Sequence, residues 1–189
     1  IPVGIISAVK QYSIIDGVSL ISALLLTSMP NFWLGLMLLL LFSLKLGWFP
    51  TSGAGSMSAF VLPCITLAAS TMAVLIRMTR STMLEVIRQD YIRTAKAKGA
   101  KESRIIFKHA LRNALLPVVT IIGINFGIQL GGSIVVENVF GMPGLGSLIV
   151  ESVKMKDTPM VMAGIMFIAV VGSLVNLGVD ILYMYIDPR

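Results

Sequence analysis

Apolar residues fall in long runs along this chain, over 18–46, 60–76, 116–136 and 160–185. As helices, runs of this kind can cross ~30 Å of hydrocarbon. None shows the period-two alternation that a membrane barrel needs. The expected fold class is therefore all-α, a polytopic transmembrane helix bundle in a single domain covering 1–189. The first apolar stretch, 1–9, spans only ~13 Å as helix. It is read as a partial span, the cytoplasmic end of a helix whose start lies upstream.

The breaks differ in kind. Pro30 and Asn31 interrupt the 18–46 run. Proline removes a helix hydrogen bond, and an amide in that position needs a partner inside the protein. Gly47-Trp-Phe-Pro-Thr-Ser-Gly53 closes the run with headgroup-favouring aromatics and turn residues, opening an external loop over 47–59. A second external loop, 137–159, holds Glu137, the turn Phe140-Gly-Met-Pro-Gly-Leu-Gly146 and an expected short helix over 147–156. Lys10, the stretch 77–115 and Arg189 fall on the cytoplasmic side.

Composition narrows the class. The chain is 56% hydrophobic and 13% charged, which excludes an ordinary soluble domain and a disordered one. Its net charge is +6, but ten of its fifteen Lys and Arg lie between Arg77 and Arg112, with Glu85, Asp90 and Glu102. Ten minus three gives that one loop +7. This is the cytoplasmic bias of membrane proteins and not a nucleic-acid face. One cysteine (Cys64) and one histidine (His109) permit neither an internal disulfide nor a metal cage. There is no phosphate loop and no nucleophile–base pattern. The external Gly-rich turn lacks the Lys-Ser/Thr of a phosphate loop.

Within the basic loop, 85–98 is rich in helix formers and has no Gly or Pro. Ile87, Tyr91 and Ala95 recur at i, i+4 and i+8 as one stripe, with Arg88, Arg93, Lys96 and Lys98 on other faces. Gly99 suits the left-handed end of a helix, and Ser103 suits the cap of the next, which leads to Pro117. The pattern predicts two short helices with a rigid turn, tied at both ends to membrane helices. Such an element can pass a push from a cytoplasmic partner to the bundle. It can equally lie on anionic lipid, where each basic residue contributes about 1 kcal/mol.

Asp90-Tyr-Ile-Arg-Thr-Ala-Lys-Ala-Lys-Gly99 followed by Lys108-His-Ala-Leu-Arg-Asn-Ala-Leu-Leu-Pro117 resembles the cytoplasmic EAA loop of permease subunits in binding-protein-dependent ABC importers. Pro30-Asn-Phe-Trp-Leu-Gly35, Gly47-Trp-Phe-Pro-Thr-Ser-Gly53, Glu137-Asn-Val-Phe-Gly-Met-Pro-Gly-Leu-Gly146 and Asp187-Pro-Arg189 add to the likeness. Together they resemble the B-type permease of the peptide/nickel branch over essentially the whole chain. The general loop begins Glu-Ala-Ala, where this chain has Arg93-Thr94-Ala95, and its glycine-to-proline interval is shorter than here.

The resemblance implies a type I ABC importer permease fold and a non-catalytic transport subunit of the bacterial or archaeal cytoplasmic (inner) membrane. It implies a second homologous permease, two ABC ATPases and an extracytoplasmic solute-binding protein as partners, with membrane lipid around them and no nucleic acid. ATP and Mg are bound by the ATPases and no cofactor by this chain. The implied ATPase-coupling residues are Tyr91, Arg93, Thr94, Ala95, Lys98, Gly99 and Pro117, with Arg93 and its neighbours meeting acidic groups of the ATPase. Asn31, Asn125, Gln129 and Asn176 are the intramembrane polar candidates for the pathway, or else hydrogen-bond between helices. Di- or oligopeptides are the implied cargo, with nickel, glutathione or oligosaccharides as alternatives. A secondary transporter and a lipid-binding membrane scaffold are the readings from other classes.

Overall fold

The computed structural model describes the backbone of residues 1–186 and, outside 130–133, 182, 183, 185 and 186, their side chains. The terminal Asp187-Pro-Arg189 motif lies outside the described residues. Among those described there are helices and turns and no strand. In chain order they are α1 (Pro2–Val9), α2 (Ile14–Ser28), α3 (Asn31–Leu38), α4 (Val61–Ile87), α5 (Asp90–Ala97), α6 (Glu102–Arg104), α7 (Leu111–Val139), α8 (Leu145–Lys154) and α9 (Thr158–Ile186). A π-helical turn, Leu39–Lys45, continues α3, and another, Ile105–Ala110, joins α6 to α7.

Three helical stretches are long and apolar enough to cross a membrane: Met57–Ile87, Glu102–Gln129 and Thr158–Ile181. A fourth crossing exists if α2 and the α3 stretch count as one broken span. The expected single run over 18–46 is thus two helices. Pro30 has no N–H to continue α2 and disfavours helical geometry at Met29, so the chain restarts at Asn31. The expected loop over 77–115 also needs correction. Helix α4 runs ten residues past Arg77 to Ile87, and α6, the π turn and α7 form one helical stretch. Most of 77–115 is therefore helical and continues two membrane-length helices.

The chain packs as two compact units. One comprises Ile1–Leu26, Met72–Gly123 and the chain from Val179 on. Its core joins Ile5 and Ala8 of α1, Met83 of α4, Ile92 of α5, Ile105 of the π turn, and Ala110 and Ala114 beyond it.

The other comprises Thr27–Thr71 and Ile124–Gly178. Leu62, Val136 and Phe140 form its core, flanked by Phe42, Phe49 and Leu67 among others. The Trp48-Phe49 turn folds back on the π turn after α3. Phe42 meets Trp48 at 5.6 Å between ring centroids and Phe49 edge-on at 6.5 Å, and the Ser43 hydroxyl donates to the Pro50 carbonyl at 3.1 Å.

In this second unit, the Glu137 motif has a structural explanation. The Glu137 Oε2 accepts the Ser147 N–H at 2.9 Å, at the amino end of α8. The Ser147 hydroxyl accepts the Gly144 N–H at 2.9 Å. A Cβ on Gly144 would fall on the Glu137 carboxyl group, and one on Gly146 would sit 2.5 Å from the Ile134 Cα. Both glycines are there because α8 lies directly against the end of α7. The helix begins at Leu145, two residues earlier than expected.

Glu137→Ala removes an anionic cap worth about 0.5–2 kcal/mol. Amide exchange over 145–154 is expected to quicken about five-fold, with the first unit unaffected. Unchanged exchange in α8 would show that the cap contributes nothing.

Candidate coupling site

The chain breaks at Arg88-Gln89, so α5 is its own helix and not the end of a longer one. Gln89 is extended (φ −69°, ψ 150°) and caps α5 through its backbone alone. Asp90 in the first turn and Lys96 in the last suit the helix dipole. Because the break resets the helical phase, the expected Ile87–Tyr91–Ala95 stripe does not form. Ile87 belongs to α4 and Tyr91 is exposed, while Ile92 is fully buried and Ala95 packs beside it.

The end of α5 matches the sequence expectation closely. Gly99 has φ +76°, the Ala100 N–H donates to the Ala95 carbonyl at 3.2 Å, and the Gly99 N–H to the Lys96 carbonyl at 2.9 Å. This pair of bonds is the Schellman ending, which needs one left-handed residue. The chain then turns into α6. Lys101, and not Ser103, is the capping residue there, and no side chain bonds the helix end.

Six of the seven coupling candidates lie on α5 or in the turn that ends it. Tyr91, Arg93, Thr94, Lys98 and Gly99 are exposed, and Ala95 is half-buried. Tyr91, Thr94, Ala95 and Lys98 share a groove with Arg104 and His109. Arg93 makes a loose ion pair with Asp90 at 3.6 Å, with both side chains open to solvent. Such a pair holds within about 1 kcal/mol and leaves Arg93 available to a partner.

The groove is tied to α7. The Asn113 side-chain amide donates to the Tyr91 hydroxyl at 2.8 Å and to the His109 carbonyl at 3.3 Å. Pro117, the seventh candidate, lies inside α7 one turn further on. It deprives the Asn113 carbonyl of its helical donor. No flexible linker separates the exposed basic helix from α4 or α7.

The four pathway candidates all lie in the other unit. Gln129 donates to the Thr71 hydroxyl at 2.7 Å, joining α7 to α4 as an interhelical amide does. Asn176 on α9 lies against Gly127 of α7. Asn125 is also engaged, and Asn31 opens α3 half-buried. Among the described residues no group of three His, Cys, Asp or Glu is placed to hold a metal ion.

Sequence reasoning passed over one polar cluster. Asp16, in the short polar stretch between the first two apolar runs, is buried and bonded to Arg80 of α4. Arg80 was expected at the inner surface among other cations. The available signal was that Asp16 is the one acidic residue before Glu85.

Comparison with known proteins agrees with this architecture. The family model described as binding-protein-dependent transport system inner membrane component matches residues 1–189. The oligopeptide transport system permease protein AppB of Bacillus subtilis (strain 168) is 47% identical over 199 residues, covering 100% of this chain and 63% of that protein. The glutathione transport system permease protein GsiC of Pectobacterium atrosepticum is 47% identical, covering 98% of this chain and 61% of the relative. GsiC of Escherichia coli (strain K12) is 48% identical, with 98% and 60% covered. This chain thus spans about three-fifths of the length of these relatives. Among solved structures, the MetNI methionine ABC transporter in an inward-facing conformation superposes with a TM-score of 0.78 at 20% identity, over 98% of this chain and 85% of that one. The fold is that of a type I ABC importer permease, and the chain belongs to the family of inner membrane components of binding-protein-dependent transport systems.

Proposed function

We propose that this chain is the membrane-embedded permease subunit of an ATP-driven importer of di- or oligopeptides. The observation that carries the reading is α5: a short, exposed, basic helix with a Schellman ending, held by Ile92 and set between two membrane-length helices. A helix of eight residues is marginal alone in water. Its order here comes from packing, so a load on its outer face is passed to α4 and α7 and not lost in a linker.

In this reading two ATPases grip the α5 groove, and a second homologous permease completes the pathway. An extracytoplasmic binding protein delivers the substrate. The ATPases hold ATP and Mg, and this subunit itself hydrolyses nothing. ATP binding closes the ATPases and moves α5. Helices α4 and α7, which contribute residues to both units, follow and shift the pathway between two states of different substrate affinity. The chain then crosses the bacterial inner membrane several times. The many exposed apolar side chains of α9, such as Phe167, Val170 and Leu174, suit lipid or the second permease. Peptide cargo is favoured by the relatives named for oligopeptide and glutathione transport, since glutathione is itself a tripeptide.

Purification of the full-length protein from its own membranes in mild detergent, with mass spectrometry of what accompanies it, tests the reading. A second permease and one or two ATPases are expected. A preparation free of ATPase, even after cross-linking in the membrane, would favour the secondary transporter or the scaffold. Arg93→Glu reverses the charge on the exposed face of α5 and is expected to lower ATPase recovery about ten-fold, the scale of one lost charged contact of ~1.4 kcal/mol. Undiminished recovery would remove Arg93 from the contact.

A further inference from the structure

One carboxylate gathers three parts of the first unit. Arg80 of α4 meets Asp16 as a fork, Nε to Oδ1 at 2.6 Å and Nη2 to Oδ2 at 2.8 Å. The Ser7 hydroxyl of α1 donates to Oδ1, and the Tyr12 N–H to Oδ2 at 2.9 Å. Asp16 closes the arrangement by donating its own N–H to the Ser13 hydroxyl at 3.2 Å. Asp16 is 3% exposed and Ser7 0%. Tyr12 holds φ +64°, a backbone state that a tyrosine rarely adopts. It persists because the Asp16 bonds fix both sides of the turn.

Stability alone does not account for such a pair. Apolar side chains of similar volume often replace a buried ion pair with no loss of stability, whereas directed bonds fix one geometry against alternatives. What is distinctive here is the position. Arg80 lies one helical turn before Met83, and Met83 packs in the same core as Ile92 of α5. Ile92 of α5, Met83 of α4 and Ile5 and Ala8 of α1 share one core, and one turn before Met83 the same helix α4 is bonded through Arg80 and Asp16 to α1 and the α1–α2 turn.

We infer that the Asp16–Arg80 ion pair is a positioning joint that passes movement of the coupling helix α5 to helices α1 and α2. Neither residue touches substrate or nucleotide. The pair keeps the α1–α2 turn in register with the end of α4, so both move together when α5 is loaded. This inference rests on the importer reading above and adds the residues that transmit its motion.

The test uses the full complex in proteoliposomes, with uptake of a labelled peptide and ATP hydrolysis measured together. Asp16→Asn and the paired replacement Asp16→Leu/Arg80→Met are compared with the unaltered protein. The paired replacement leaves no uncompensated charge, but the Ser7 hydroxyl and the Tyr12 N–H lose their acceptor, so it is expected to assemble with its ATPases and to melt below the parent temperature. ATP consumed per peptide taken up is expected to rise about five-fold or more in both, the lower end of energetic coupling between two sites.

A paired variant that assembles and keeps the parental ATP-to-peptide ratio overturns the joint, because a merely structural pair changes stability and not that ratio. If only Asp16→Asn fails to accumulate, the paired variant still decides. An unaltered complex with ATPase bound but no ATP-dependent uptake would instead defeat the importer reading itself.

Discussion

Gly99→Val is expected to abolish ATP-driven uptake while the protein still inserts and accumulates. The reason is backbone geometry and not space. A Cβ on Gly99 would meet nothing within 4 Å, but the residue holds φ +76°. A left-handed L-residue costs roughly 1–2 kcal/mol, and more when it is β-branched. That is about a five- to thirty-fold loss in the population of the intact turn. The turn's two bonds, from Ala100 to Ala95 and from Gly99 to Lys96, end α5 and set the direction in which the chain enters α6. When they are lost, Lys98 and Arg104 no longer face one groove, and the ATPase loses a shaped partner.

A graded series separates this cause from bulk or charge. Gly99→Asn should keep most uptake, because asparagine tolerates the left-handed region. Gly99→Ala should be intermediate and Gly99→Val lowest. Uptake and stimulated ATP hydrolysis in proteoliposomes give the order. Parental uptake in the valine variant would refute the docking role. A scaffold that needs only positive charge on lipid predicts that outcome, since the series leaves every Lys and Arg in place.

The elements most legible in the sequence were those written in local chemistry. The charge between Arg77 and Arg112, the left-handed glycine at 99 and the break at Pro30 each follow from one residue type in one place. The break at Gln89 was not legible. No Gly or Pro marks it, and 85–98 has the propensity of a continuous helix. The break is a tertiary outcome: it turns Ile92 into a core shared with Ile5, Met83 and Ile105. A stripe counted across it assigns the buried position to Tyr91, one residue away from the true anchor. Asp16 and Arg80 lie 64 residues apart, and periodicity within a segment carries no information about such a pair. The apolar run stops at Ile76, but α4 continues to Ile87. An exposed arginine can remain helical when the helix continues beyond the membrane surface. Glu137 was legible as unusual but not as a cap, because its acceptor role depends on how α8 returns to the end of α7.

Ile92→Ala should then be the most damaging single change in α5 that leaves its outer face intact. Ile92 is fully buried, and truncating such a side chain costs about 2–5 kcal/mol. The helix it anchors has eight residues and too little intrinsic stability to absorb that loss. The Tyr91–Asn113 hydrogen bond, exposed and worth about 0.5–1.5 kcal/mol, does not compensate. Amides of 90–98 are expected to lose their protection from hydrogen exchange, and ATPase is expected to drop out of the purified complex. Protection in α7 should persist, because Val118 and the helical bonds beyond Pro117 do not depend on Ile92. Tyr91→Phe, which removes only the hydroxyl, should keep the ATPase bound. If Ile92→Ala leaves both α5 protection and ATPase recovery unchanged, packing is not what presents the coupling helix. Its order would then have to come from the ATPase, with α5 folding onto its partner.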